Sequence, residues 1–171
     1  MGPFSRWLIL SQFALLLVPA SSLAATGTGP SGLGTIKQVA TDEGVSCAIN
    51  VSDNLYCWGK GISLQEKVPQ VLGKVSEVAL AYDGACAIQI SGNLRCWGQH
   101  PSMDPPPTVP AGLGSVKKVY MFGSQICVIK IDDHARCWTY QRQGIGSITV
   151  PSNLGVVKKL GVGTDYACAI T

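Results

Sequence analysis

Hydrophobic positions in this chain fall into short blocks that return at a fixed interval. Each block opens on a turn: Pro30-Ser31-Gly32-Leu33-Gly34, Pro69-Gln70-Val71-Leu72-Gly73, Pro110-Ala111-Gly112-Leu113-Gly114 and Pro151-Ser152-Asn153-Leu154-Gly155. A segment of β-formers follows, running from Ile36 to Val39, Val75 to Val78, Val116 to Val119 and Val156 to Leu160. Alternation of period two then resumes in a stretch bounded by cysteines. Its copies are Cys47-Ala48-Ile49 to Cys57-Trp58-Gly59, Cys86-Ala87-Ile88 to Cys96-Trp97-Gly98 and Cys127-Val128-Ile129 to Cys137-Trp138. A fourth copy begins at Cys168-Ala169-Ile170-Thr171. The leucines Leu33, Leu72, Leu113 and Leu154 step by 39, 41 and 41 residues, and the leading cysteines step by the same amounts. A repeat of this length sets the architecture before any local motif does.

Each unit therefore predicts a first strand followed by a hairpin. A fourth, weaker strand is expected around Lys67-Val68, Thr108-Val109 and Thr149-Val150, each stopped by a proline. Side chains alternate along a strand, so Cys47, Ile49, Leu55 and Cys57 share one face. Setting Cys47 opposite Cys57 puts Ile49 opposite Leu55 and leaves the loop Val51-Ser52-Asp53. The matching loops are Ile90-Ser91-Gly92 and Ile131-Asp132-Asp133. Such loops want a left-handed third residue, which Gly supplies and Asp tolerates.

Opposed cysteines on neighbouring strands lie within bridging distance. Disulfides Cys47–Cys57, Cys86–Cys96 and Cys127–Cys137 are expected. The competing readings are buried free thiols and zinc, although the ten-residue step and two histidines fit no common zinc spacing. Cys168 is expected to pair ten residues further on, past Thr171, so the sequence reads as a segment of a longer frame.

The N-terminus has its own grammar. Arg6 precedes the apolar run from Trp7 to Val18, and Ser22-Leu23-Ala24 has the small-x-small form of a cleavage site. Residues 1–24 read as a secretory signal peptide, too short and broken to span a bilayer. Residues 25–29 form a leader, and the repeats occupy about 30–68, 69–109, 110–150 and 151–171. A secreted chain is where paired cysteines are expected.

Composition changes this picture little. Charged residues make up 13% and the net charge is +3, with no basic stripe of the kind nucleic acid requires. No cofactor motif is visible. His134 sits in a polar turn and His100 in a proline-rich loop, neither with a nucleophile beside it. Asn50-Val51-Ser52 is a glycosylation sequon, and two readings of it stand: an Asn50 accessible at the hairpin's loop end, or one buried by packing between blades. The connections after each tryptophan landmark vary in length and chemistry, which is how rigid scaffolds carry specificity. Met103, Tyr140 and Arg142 are the candidate binding residues on them.

The paired Cys-Ala-Ile and Cys-Trp-Gly elements resemble the repeat of the regulator of chromosome condensation family. They are most similar to its secreted, paired-cysteine variant, as in crinkly-type receptor ectodomains. The Val-Pro-x-x-Leu-Gly punctuation is similar to that of the propeller β-lactamase inhibitory protein. The resemblance covers about residues 30–171 and implies an all-β propeller, with about three four-stranded blades, the start of a fourth and an open ring. It implies tryptophans packed between blades. Departures are clear: Val45, Gly84, Gln125 and Tyr166 replace the family histidine, only Gly163 keeps its glycine, and Thr139 follows Trp138. The implied function is a non-enzymatic extracellular module that binds a protein partner through its loops. The alternatives are a propeller enzyme with its active site in missing blades, and nucleotide exchange on a nuclear GTPase with chromatin contact, which the signal peptide and the disulfides oppose.

Overall fold

A computed structural model describes residues 30–42, 44–59, 68–81, 84–98, 107–141, 144–163 and 166–171. The described chain is all β, in four antiparallel sheets. The first holds β1 (Ile36–Asp42), β2 (Val45–Asn50) and β3 (Leu55–Gly59), and the second β4 (Val75–Ala81), β5 (Gly84–Gln89) and β6 (Leu94–Trp97). The third holds β7 (Val116–Phe122), β8 (Gln125–Lys130), β9 (Ala135–Gln141) and β10 (Gly144–Ile148), and the fourth β11 (Lys159–Val162) and β12 (Ala167–Ile170). Among the described residues no helix is long and apolar enough to cross a membrane.

The hairpins adopt the expected register. Cys47 lies opposite Cys57, Cys86 opposite Cys96 and Cys127 opposite Cys137. Their Cα atoms are 4.1, 4.0 and 4.1 Å apart, and all three pairs are disulfides. The third turn residues are left-handed, with φ of 66° at Asp53, 85° at Gly92 and 67° at Asp133. Gly92 shows why glycine suits the second turn, since a Cβ there would stand 2.9 Å from the Ser115 Cβ.

The fourth strand is not where the sequence placed it. Val68, Thr108-Val109 and Thr149-Val150 lie outside strands. In the third sheet the outer strand is β10, pairing with an extended β9 through Ile148↔Cys137 and Ile145↔Tyr140. A stretch read as a variable loop is thus a hairpin, because the Tyr140 backbone N–H donates to the Ser124 carbonyl and prolongs β9. The stretches 60–67 and 99–106 of the first two units, which include Lys67, fall outside the described residues.

The sheets stack face to face and meet most closely along β1, β4, β7 and β11. The disulfide faces of the first and second sheets pack on the tryptophan face of the next. Cys47, Ile49, Leu55 and Cys57 meet Val78, Leu80, Ala87 and Trp97. Cys86, Ile88 and Leu94 meet Val119, Ile126, Val128 and Trp138. Equivalent positions show what stacking contributes: Val78, Val119 and Leu160 are 2%, 4% and 6% exposed, whereas Val39 is 66% exposed. No described sheet covers that side of the first one.

Backbone bonds repeat across each seam. The carbonyl of the left-handed turn residue accepts an N–H from the next unit: Val75 to Asp53 at 3.0 Å, Val116 to Gly92 at 2.9 Å and Val157 to Asp133 at 2.8 Å. Side chains add a second clamp. Gln38 Nε2 donates to the Val78 carbonyl at 3.0 Å, and the Val78 N–H donates to Gln38 Oε1 at 3.1 Å. One unit on, buried Glu77 accepts from the Val119 N–H at 3.0 Å and from Lys118 Nζ at 2.7 Å. Removing one partner leaves a buried donor unsatisfied, at a cost of about 1–3 kcal/mol. Glu77→Ala is expected to lose that much in urea unfolding. Glu77→Gln should lose much less, since Gln38 does the same work in the seam before. Equal losses for both variants would contradict this role.

Candidate interaction face

The hairpin turns and the Pro-x-x-Leu-Gly turns lie on one face of the stack, tied by side-chain amides. Gln89 Nε2 donates to the Leu72 carbonyl at 2.7 Å, and Asn50 Nδ2 to the Leu33 carbonyl at 3.2 Å. Asn50 Oδ1 accepts from the Ser52 and Asn54 N–H groups, both at 3.0 Å. Asn50 is therefore only 8% exposed. Of the two readings of the sequon the structure agrees with the buried one: Asn50 is a turn anchor, and the nitrogen that would carry a glycan is held inside.

What this face presents is aliphatic. The first turn residues Val51, Ile90 and Ile131 are 61%, 63% and 66% exposed. Their N–H groups donate to Thr35, Lys74 and Ser115 in the same way, so the three side chains recur at the pitch of the sheets. Val71 and Val156 are also exposed. Scattered apolar residues need no explanation, but a β-branched one at the same turn position in three successive units forms a row. That signal was present in the sequence. It was read as turn spacing, since the sequence does not say which turns share a face.

Ion pairs surround the row. Lys37 pairs with Asp53 and Lys117 with Asp133, while Lys74 Nζ donates to the Ser52 carbonyl at 2.7 Å. The hydrogen bond from Lys37, helped by the Lys37 and Lys74 charges, holds the Asp53 carboxyl below its ordinary range. Asp132 is lowered too, first by the hydrogen bond from Lys130 and then by the His134 N–H. A carboxyl lowered in the folded state adds stability above its unfolded pKa, and that stability is lost as pH falls through the folded value. The pairs of Asp53 and Asp132 should thus hold down to below about pH 4. Carboxyl shifts of Asp53 and Asp132 followed by NMR should titrate below the ordinary aspartate value. Midpoints at or above it would contradict the pairing.

The binding residues expected from sequence fare differently. Tyr140 is corrected: it lies in β9, 1% exposed, packed in the second seam, with its hydroxyl donating to the Gly123 carbonyl at 3.1 Å. Its alternation within β9 turns the ring inward, away from any loop surface. Met103, Arg142 and His100 lie outside the described residues. His134 sits in the third turn, its Nδ1 3.0 Å from the Asp132 carbonyl oxygen. Cys168 is an exposed free cysteine.

No protein-family model matches the chain, and no curated protein matches it significantly. Solved structures do. Human WBSCR16 aligns with a TM-score of 0.61 at 17% identity, over 79% of this chain and 44% of that one. The CRINKLY ectodomain of the Arabidopsis thaliana receptor kinase ACR4 aligns with a TM-score of 0.60 at 22% identity, over 79% and 46%. Prp20p of Saccharomyces cerevisiae, the yeast RCC1, whose binding to Gsp1p and histones has been described, aligns with a TM-score of 0.61 at 15% identity, over 80% and 41%. The chain spans less than half the length of each. At such identities the likeness speaks for the fold alone: the stacked, disulfide-bonded sheets are blades of a β-propeller similar to those of yeast RCC1 and the CRINKLY ectodomain.

Proposed function

We propose that this chain is an extracellular, non-catalytic protein-binding propeller module, engaging its partner through the face that carries the hairpin tips. The row Val51, Ile90 and Ile131 carries the reading: exposed aliphatic residues fixed by a rigid scaffold are what an interface core requires. Three disulfides and the signal-peptide pattern of residues 1–24 support an oxidising compartment. A CRINKLY receptor ectodomain shares the fold, and the same two features oppose a nuclear exchange role. Met103 and Arg142 are proposed as further contacts on the connecting loops.

The test is expression of the full chain in secretory cells, with photo-crosslinking from positions 90 and 131. The expected product starts at Ala25, appears in the medium, and forms a discrete protein adduct. That adduct should disappear in the Val51→Asp, Ile131→Asp double variant crosslinked from position 90. Nuclear retention would refute the location, and an adduct unchanged by the double variant would refute the face. Met103→Ala and Arg142→Ala, measured against the captured partner, decide the loop contacts.

A further inference from the structure

The first strands of the first three sheets share one irregularity. A β-bulge leaves Lys37, Ser76 and Lys117 without a cross-strand partner, each just ahead of Gln38, Glu77 and Lys118. Past the bulge the next N–H leaves its own sheet. That of Val78 goes to Gln38 Oε1 at 3.1 Å, and that of Val119 to Glu77 Oε1 at 3.0 Å. The third seam repeats this geometry with different chemistry. Leu160 stands opposite Ala169 as Val78 does opposite Ala87 and Val119 opposite Val128, so its N–H takes the same outward direction. The residue that should clamp it is Lys118, whose ammonium donates and cannot accept. Lys118 turns back to Glu77 Oε2 instead. Leu160 is 6% exposed, and a buried N–H calls for an acceptor.

Along the same strands lies a cleft of about 500 Å³, lined by Lys37, Glu77, Lys118, Tyr120, Lys158 and Lys159 among others. Among its described lining residues Glu77 is the only carboxylate, and the Val119 N–H and Lys118 already occupy both its oxygens. Lys37 pairs with Asp53, and Lys158 Nζ donates to the Thr171 carbonyl at 3.1 Å. Lys159 is exposed and has no ion pair among the described residues. Lys118 spends one of its three donors on Glu77. The cleft therefore carries positive charge in excess beside the unclamped Leu160 N–H. Its lysines come from three different units, which is why no basic stripe shows along the chain.

We propose that the third seam holds an oxyanion site, taking a phosphate or sulfate ester at the Leu160 N–H between Lys118 and Lys159. The anion supplies the acceptor that Gln38 and Glu77 supply in the first two seams. The donor set favours a tetrahedral, multiply charged group over a carboxylate. An arginine fork matches a planar carboxylate, whereas ammonium groups bind as point charges, and no arginine lines the cleft. The site is separate from the aliphatic row at the hairpin turns and does not depend on it.

The test is a titration of the full chain with inorganic phosphate, sulfate and acetate at fixed ionic strength, followed by backbone amide NMR. The Leu160 amide should shift saturably with phosphate or sulfate and not with acetate, and the tighter of the two names the ester. Lys159→Ala should weaken that binding at least about tenfold, the loss of one hydrogen bond to a charged group. Lys118→Gln works in the opposite sense. Its amide oxygen should reach the Leu160 N–H as Gln38 reaches Val78, moving the Leu160 resonance toward its phosphate-bound position and abolishing the response to phosphate. A shift that does not saturate, or that acetate reproduces, would mean ionic screening alone and overturn the site. A saturable shift unchanged in either variant would place the anion elsewhere and overturn it equally. The first comparison needs no variant, and the spectra of the variants report their own folding.

Discussion

Replacing Trp138 by Ala is expected to cost the fold about 3–5 kcal/mol, the usual range for removing a large buried aromatic side chain. The side chain is 2% exposed and fills the seam between the second and third sheets. Truncation opens a cavity there and leaves the Thr108 carbonyl without its indole donor. The equivalent Trp58 is half-buried, because its face of the first sheet meets no other described sheet. Trp58→Ala should therefore cost only about 1–2 kcal/mol, a partial share of burial energy. Urea midpoints of the two variants provide the comparison. Equal losses would mean that these tryptophans act within their own hairpins and not between sheets.

The disulfides give the other large effect. Removing Cys127 and Cys137 together by alanine is expected to destabilise by roughly 2–3 kcal/mol, the loop-closure entropy of a short bridge. Access should also rank the three bonds. Cys127 is fully buried and Cys137 is 6% exposed, whereas Cys57 and Cys96 are each half-buried. Exchange requires a thiolate to reach a sulfur, so Cys127–Cys137 should be the last bond reduced. Stepwise reduction, alkylation and peptide mapping would show it. Cys168, exposed and unbridged, should be labelled before any reductant is added. Early loss of Cys127–Cys137 would mean that the third sheet opens more readily than its packing implies.

Much of the fold was legible before any coordinates. The Cys-to-Cys spacing of ten, with a turn-forming residue at Asp53, Gly92 and Asp133, specified strand register, loop length and disulfide pairing together. The candidate site was legible only in part. Tyr140 looked like a loop residue because it lies in a connection that differs from repeat to repeat, yet β9 runs on through it and pairs with β10. Whether Asn50 is accessible was not legible, because strand alternation gives a face but not what covers it. Its amide is spent on the Leu33 carbonyl, seventeen residues away in sequence.

Short-range chemistry explains what the sequence determined by itself: hairpins, turns and disulfides depend on neighbours within about a dozen residues, where alternation and backbone sterics suffice. The tertiary structure decided what depends on one sheet meeting the next. It buried Val78, Val119 and Leu160 but left Val39 in the open, gathered Val51, Ile90 and Ile131 on one face, and made Glu77 a clamp on Val119. Identical repeats carry identical local instructions, and only stacking distinguishes one described seam from the next.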